Sequence, residues 1–162
     1  MPATYEPIAT TTLSSATSNI SFTSIPASYT DLKVVIYYSM ASGSTAALRF
    51  NNNTGTNYAY KGLIGSTSVV AYGGTATGIR IPYSTQTNGW ASAIFDVFNY
   101  TSSNYKMVLY TVNQPNTATG ETAAGVGTWG VADAITRVDL FGNGTVNFNI
   151  GTQATIYGIL KA

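Results

Sequence analysis

Apolar and polar residues alternate along the segment 31–40, and this period of two constrains the fold more than any other feature. Every second residue from Leu32 to Met40 is large and apolar, whereas Lys33 and Ser39 are among the residues between them. Successive side chains of a β-strand point to opposite faces of a sheet. The segment therefore predicts a long strand with one buried face.

Short runs of the same kind recur along the chain and are separated by polar or glycine-rich turns. They lie at 19–23, 47–50, 58–64, 69–72, 78–82, 90–98, 106–112, 122–129, 135–141, 145–150 and 155–160. Because the runs at 58–64, 69–72 and 78–82 are weaker strand signals, the pattern predicts about nine or ten strands in all, and no helix longer than about one turn. Two antiparallel sheets packed face to face bury one side of each strand. We therefore expect an all-β antiparallel sandwich with jelly-roll topology.

Two turn signals are specific enough to locate connections between these strands. Asparagine and glycine tolerate the positive φ that tight turns require. The run Gly142-Asn143-Gly144 predicts a hairpin between 135–141 and 145–150, and the run 51–53 consists of three asparagines that predict a turn.

The first eighteen residues differ from the rest of the chain. Their only large apolar residues after the initial methionine are Tyr5, Ile8 and Leu13, and these follow no helical or strict strand period. The sequence predicts an extended N-terminal arm at 1–18 and a sandwich domain at 19–162. A frayed terminus is the ordinary fate of such a segment. The alternative is an arm that docks on a neighbouring subunit through these three residues.

Charge is scarce, and this excludes several classes of partner. Charged residues make up 8% of the chain and the net charge is +1, whereas ordinary domains carry about 25% charged residues. The seven basic residues are scattered singly, so the sequence predicts no nucleic-acid binding, which requires clustered cations. Solubility depends instead on 25 Thr, 15 Ser and 13 Asn. Neutral polar groups are cheaper to dehydrate than charges, and they suit surfaces that contact proteins or sugars.

The sequence offers no recognisable catalytic centre. Cysteine and histidine are absent, which removes thiol chemistry, the commonest general base and most transition-metal sites. Asp96 shares a strand face with apolar residues, but no second acid accompanies it as glycoside hydrolysis would require. Arg137 and Asp139 are expected to form surface pairs across strands. A match to G-x-G-x-x-G at 125–130 lacks the following helix of a dinucleotide site. We predict no catalytic, cofactor-binding or metal-binding residue, and no enzyme.

No signal peptide or membrane-spanning segment is evident in the sequence. The start has no basic region followed by an apolar one, and the longest apolar run, at 34–38, is far shorter than the ~20 residues of a membrane helix. We expect synthesis in a cytoplasm and no membrane partner.

Tyrosine outnumbers phenylalanine by 12 to 6. Its ring suits protein interfaces and sugar faces, although most of these rings are expected in the core or its rim. Tyr58, Tyr60, Tyr72 and Tyr83 lie in the loop-rich middle of the sequence. They are the predicted exposed contact surface.

Three segments together resemble small virion proteins of tailed bacteriophages. They are TYEPIATTTLSSATSNISFTSIPASYTDLKVVI at 4–36, LRFNNNTGTNYAY at 48–60 and TIYGILKA at 155–162. The features in common are an Ile-Ala-Thr-Thr arm, a Ser-Ile-Pro…Tyr-Thr-Asp-Leu segment, a Phe-Asn turn and a Tyr-Gly-Ile end. The similarity extends over the whole chain in order, but its parts are of low complexity.

This resemblance implies a structural protein located in the virion. We expect a capsid decoration, or cement, protein, which would form a homo-oligomer, specifically a trimer, and bind the major capsid protein through its arm. The alternative is a tail-fibre or baseplate module, or a carbohydrate-binding module, that adheres to host surface glycans. No cofactor is implied.

Overall fold

The computed structural model describes residues 5–42, 44–84, 89–115 and 120–160, without the side chains of 82–84. Its strands are β1 (Tyr5–Thr12), β2 (Asn19–Phe22), β3 (Asp31–Ser39), β4 (Thr45–Phe50), β5 (Tyr58–Gly65), β6 (Val69–Ala76), β7 (Ile79–Ser84), β8 (Trp90–Phe98), β9 (Lys106–Gln114), β10 (Glu121–Trp129), β11 (Val138–Gly142) and β12 (Gln153–Ile159). A single 3₁₀ turn at Asn143–Thr145 is the only helical element in these ranges. None of the described segments is an apolar helix of membrane-spanning length.

The strands form two antiparallel sheets, which confirms the predicted sandwich. The large sheet has eight strands in the order β1-β12-β3-β8-β9-β10-β5-β6, and the small sheet has four in the order β2-β11-β4-β7. One continuous core lies between the sheets. It is built from the alternating residues of each strand, as in β3, where Leu32, Val34 and Ile36 are fully buried.

Eight of the strands have the connectivity of a jelly roll. In chain order, β1, β2, β3, β4, β7, β8, β11 and β12 form the orders 1-8-3-6 in one sheet and 2-7-4-5 in the other, which is the arrangement of two interlocked Greek keys. The remaining strands are two insertions: β5 and β6 follow β4, and β9 and β10 follow β8. We call these four strands the extension. They lengthen only the large sheet.

The predicted N-terminal arm is extended, but it lies on the sandwich of its own chain. β1 pairs with β12 from Tyr5 to Thr12, with one irregularity between Pro7 and Ala9. Beyond the strand, the backbone N–H of Leu13 donates to the carbonyl of Thr152 at 2.9 Å. The arm is therefore the edge strand of the large sheet.

The hairpin predicted around residues 142–144 does not form. Gly144 and Thr145 have φ values of 71° and 65°, and the chain turns away from β11, which pairs instead with β2 and β4. Phe148 then forms single bridges with Thr17 and Met40. β11 is paired on both sides, so residues 145–150 cannot pair with it as the second strand of a hairpin. Phe148, from this segment, is instead fully buried in the core.

The predicted asparagine turn does form and ties two loops together. Asn51 has a φ of 50°. Its side-chain oxygen accepts the backbone N–H groups of Thr136 and Arg137 at 2.9 and 3.1 Å, and its amide donates to the carbonyl of Ala134. This side chain satisfies the backbone groups that lead into β11.

Asp139 is buried on the outer face of the small sheet, contrary to the predicted surface pair across strands. It is 1% exposed, and its partner Arg137 lies two residues before it, at 2.7 Å between Nη2 and Oδ1. Ser21 and Asn19 on β2 also donate to the carboxylate. Burial raises the pKa of Asp139, but these hydrogen bonds and the charge of Arg137 outweigh it, so the pKa lies below its ordinary value.

We expect Asp139→Asn to destabilise the fold by about 2 kcal/mol, because donors arranged around a carboxylate lose their charged acceptor. Because the pKa of Asp139 is lower in the folded protein than in the unfolded chain, its carboxylate stabilises the fold at pH values above the unfolded pKa. This stabilisation is lost as the pH falls through the folded pKa. Urea denaturation at neutral and acidic pH measures both effects. Asp96→Asn is the matched control, since its half-exposed pair with Lys33 is worth under about 1 kcal/mol. An equal loss in both variants would contradict the prediction.

Candidate functional site

The extension is covered on its inner face only in part, because the small sheet ends at β7. β7 contacts β10, β5 and the end of β6, and all but two residues of β6 are exposed. Aromatic side chains of the extension itself lie over the rest of this inner face. They create the surfaces described below.

Three tyrosines of the extension lie over its glycines. Tyr72 on β6 is directly opposite Gly62 on β5, and Gly62 is opposite Gly125 on β10, which is opposite Tyr110 on β9. The hydroxyl groups of Tyr72 and Tyr110 meet in a short hydrogen bond over these two glycines. A Cβ at Gly62 would stand 2.6 Å from the Tyr72 hydroxyl oxygen, and one at Gly125 would stand 2.5 Å from that of Tyr110. The glycines are therefore required by the tyrosine pair.

The neighbouring pair repeats the arrangement. Tyr60 is directly opposite Gly74, and its ring lies 6.3 Å from that of Tyr72 between centroids. Burial raises the pKa of Tyr72 and of Tyr110 above the ordinary value. Both hydroxyls are therefore neutral at physiological pH, and the cluster presents rings and uncharged hydroxyls.

A groove of about 260 Å³ runs between these tyrosines and the small sheet. We call it the tyrosine groove. Tyr60, Tyr72 and Gly73 form one wall, and Thr45, Arg80 and Asn143 are among the residues that form the other. Arg80 is half-buried and makes no ion pair with any described residue. The Thr45 hydroxyl is buried and has no hydrogen-bond partner within the described ranges. The groove therefore combines aromatic rings with an unpaired cation and an unsatisfied hydroxyl.

Of the four tyrosines predicted to form a contact surface, the structure brings two together. Tyr60 and Tyr72 line the groove, whereas Tyr58 is 1% exposed and belongs to the core. The Tyr58 ring packs against both Phe50 and Trp129, and its hydroxyl accepts the N–H of Phe50 at 3.0 Å. The prediction for Tyr58 is wrong because its strand begins beneath β4. The side chain of Tyr83 lies outside the described residues.

The opposite, outer face of the extension is apolar and exposed. Leu109 and Val126 are directly opposite each other on β9 and β10 and are 48% and 50% exposed. Met107 on β9, Ile94 on the adjacent β8 and Leu63 on the adjacent β5 point to the same face and are also exposed. We call these five residues the apolar face. A shallow depression between Leu109 and Val126 is bordered by Asp96, whose carboxylate is paired with Lys33 at 2.5 Å.

The three arm residues predicted to contact a neighbouring subunit do not lie together on a free surface. Ile8 and Leu13 pack against the core of their own chain. Tyr5 is 51% exposed, and the Lys33 ammonium lies 5.9 Å from its ring centroid. Ile8 and Leu13 are therefore core contacts, because β1 is part of the large sheet.

The acidic residues form no paired or metal-binding arrangement in the described part of the chain. No group of three potential ligands occurs there. Asp96 forms an ion pair with Lys33, and Asp139 forms one with Arg137. Gly125 and Gly127 of the G-x-G-x-x-G match lie inside β10, and residues 131–137 form no helix.

Sequence reasoning missed two features of these surfaces. Tyr37 and Trp90 stack on the outer face of the large sheet, with centroids 4.7 Å apart and planes 13° apart. The alternation in 31–40 already placed Tyr37 on the polar side of its strand, which could have identified it. No sequence pattern identifies Arg80 as part of a site, because it lies beside the tyrosines only through the tertiary contacts of β7 with β5 and β6.

Comparison of the sequence with protein-family models and with curated proteins finds no match. Among solved structures, the chain is similar to the crystal structure of Caenorhabditis elegans galectin LEC-6, with 12% identity over 94% of this chain and 96% of that one and a TM-score of 0.40. At this level the similarity carries no information about ligand or role.

We expect Gly125→Ala to destabilise the fold by about 2 kcal/mol, as overpacking of a filled site does. Its methyl group would meet the Tyr110 hydroxyl and the backbone oxygen of Lys61, at 2.5 and 2.6 Å. Gly65→Ala is the matched control on the same sheet, since its Cβ would find only a contact of 3.5 Å with Thr122 and should change stability by less than about 0.5 kcal/mol. Urea midpoints compare the two. Equal midpoints would show that the tyrosine pair does not require Gly125.

Proposed function

We propose that this chain is a non-enzymatic structural protein of a tailed-bacteriophage virion that binds other virion proteins through its apolar face. The observation that carries the proposal is the concentration of exposed, uncharged apolar side chains on four adjacent strands, β8, β9, β10 and β5. Single exposed apolar residues are normal, whereas a contiguous patch marks an interaction site. The placement in a phage particle comes from the sequence resemblance described above.

The outer surface of the four strands that carry the apolar face is large enough for a specific protein interface, with the apolar face at its centre. Four strands spaced about 4.8 Å apart and about nine residues long cover roughly 600 Å². Specific complexes bury about 600 Å² or more per partner, and their central area is depleted of charge. β9 and β10 lie at the centre of this face and their outward residues carry no charge, whereas Asp96 on β8 is directly opposite Leu109 and Lys61 on β5 is directly opposite Val126, so charges border the centre on both sides.

Within the particle, we propose the role of a decoration protein on the capsid, with the major capsid protein as the partner. A rigid sheet face positions contact residues more accurately than a loop does. Because β1 is an integral strand, the sandwich and not a free arm would make this contact. Truncation of residues 2–18 would remove an edge strand along with any contact, so single substitutions separate folding from binding more clearly.

We expect Leu109→Lys to weaken binding to capsids about tenfold or more, because it places a charge in the centre of a desolvated contact. The measurement is co-sedimentation of the purified protein with capsids of the same phage that lack it. Ile150→Lys is the matched control, since Ile150 is also an exposed apolar residue but lies on the connection before β12. Unchanged binding by the Leu109 variant, with its fold intact by circular dichroism, would refute the proposal.

A second candidate function is adhesion to host surface glycans, which the tyrosine groove favours. Aromatic rings stack on the apolar faces of sugars, while hydroxyl and amide groups give direction to the contact. The guanidinium of Arg80, which has no ion-pair partner among the described residues, suits the carboxylate of an acidic sugar, since Arg binds carboxylates with two parallel hydrogen bonds. This adhesion requires neither the apolar face nor a capsid partner.

For this function we expect Arg80→Ala to reduce binding to acidic glycans about tenfold, because a charge-assisted pair is lost. Tyr60→Ala should reduce binding to acidic and neutral glycans alike. A glycan array with the purified protein measures both, and Tyr37→Ala is the control for an exposed tyrosine outside the groove. If the unsubstituted protein binds no glycan, or if Arg80→Ala binds acidic glycans normally, this function is excluded.

A further inference from the structure

The sandwich has four edge strands, and three of them carry features that prevent pairing with another chain. An exposed edge presents unpaired N–H and C=O groups, and proteins protect such edges with proline, charge, irregularity or shortness. β1 has Pro7, Glu6 and an irregularity between Pro7 and Ala9. β2 has only four residues. β7 has a proline at position 82 and a register shift in its pairing with β4.

β6 has none of these protections. It has eight residues without a proline or a charge, and it pairs with β5 over its whole length without a shift. No backbone hydrogen bond joins its other edge to any described segment. Val69 and Val70 are 71% and 53% exposed. The strand is regular, uncharged and apolar, which is the form of edge that accepts another strand.

We propose that β6 is an assembly edge, on which a second copy of this chain pairs through its own β6. Antiparallel pairing of a strand with its copy is two-fold symmetric, so the interaction closes after two subunits. The two large sheets then form one continuous sheet of sixteen strands, with the free N–H and C=O groups of both edges paired. This inference does not depend on the proposed function.

The other edges favour this partner over the alternatives. A three-fold ring, as the expected trimer requires, would need β6 to pair with a different edge of the neighbouring copy. Each of those edges is interrupted by proline, irregular or short, whereas β6 matches only itself in length and regularity. For an assembly formed through sheet edges, we therefore infer a two-fold dimer and not the trimer expected from the sequence.

The pairing also has a consequence for the tyrosine groove. Tyr72 and Gly73 belong both to β6 and to the groove wall. Joining two copies at β6 places their two grooves side by side across the two-fold axis. The dimer would therefore carry two copies of the groove on one continuous sheet, and a polysaccharide could engage both; this consequence, unlike the pairing itself, rests on the glycan binding proposed above.

The test is the oligomeric state of the full chain, measured by sedimentation over a concentration series. We expect a dimer that Val70→Lys weakens about tenfold or more, because it places a charged side chain on an edge that is otherwise apolar and uncharged, opposite the uncharged far end of the copied strand. Thr12→Lys adds the same charge to the exposed end of β1 and should leave the dimer unchanged. A monomer at all concentrations would overturn the inference, as would a Val70→Lys variant that dimerises normally.

A second measurement locates the contact. The chain has no cysteine, so Ala71→Cys introduces a unique thiol within β6, one residue from its centre. A short bifunctional thiol reagent should link two copies of this variant and should not link copies of Thr12→Cys on β1. If the dimer forms but Ala71→Cys is not linked, the contact lies on another surface and the β6 assignment is wrong.

Discussion

An eight-stranded sheet covered by a four-stranded sheet has more inner surface than its partner can bury, and the remaining features of the molecule follow from this mismatch. The jelly roll accounts for equal numbers of strands in both sheets, and the insertions after β4 and β8 lengthen only one of them. Every strand beyond the small sheet must bury its inner face by other means. In this chain, Tyr60, Tyr72 and Tyr110 perform that task by lying over glycines of adjacent strands.

The same mismatch explains why the candidate surfaces are concentrated in one half of the molecule. Tyrosine buries a ring and leaves a polar hydroxyl at its end, so the inner side of the extension becomes a groove and not a closed core. The outer side is an open sheet surface, and no strand of the described residues lies beyond β6. The groove, the apolar face and the unprotected edge are therefore three results of one pair of insertions, whereas the jelly-roll half has protected edges and a buried ionic network around Asp139.

The period of two in the sequence was sufficient for the fold class, because each strand buries one face. It was insufficient where tertiary contacts override the local pattern. β1 lacks alternation, since Pro7 and threonines occupy an edge with little burial, and only its pairing with β12 makes it a strand. The alternation of Val146, Phe148 and Ile150 is typical of a strand, but Phe148 forms single bridges with Thr17 and Met40 instead of belonging to a continuous ladder. Tyr58 and Tyr60 are two residues apart on one strand face, yet only Tyr58 lies beneath β4; no local signal separates them.

The segments that resemble a phage protein family have structural roles in this fold, so the resemblance concerns the fold more directly than a binding surface. The ring of Tyr29, from the Tyr-Thr-Asp-Leu segment, lies where a Cβ at Gly158 of the Tyr-Gly-Ile end would stand. Its hydroxyl donates to Glu6 of the arm at 2.8 Å. Asn51 of the Phe-Asn turn anchors the entry to β11.

These motifs therefore hold β1, β12 and the turns of the jelly roll together, and sequences that share them are expected to share that half of the fold. The extension contains little of the resemblance beyond the start of β5, so the groove, the apolar face and the β6 edge can differ between proteins with the same jelly roll. The role of this chain must accordingly be sought in the extension.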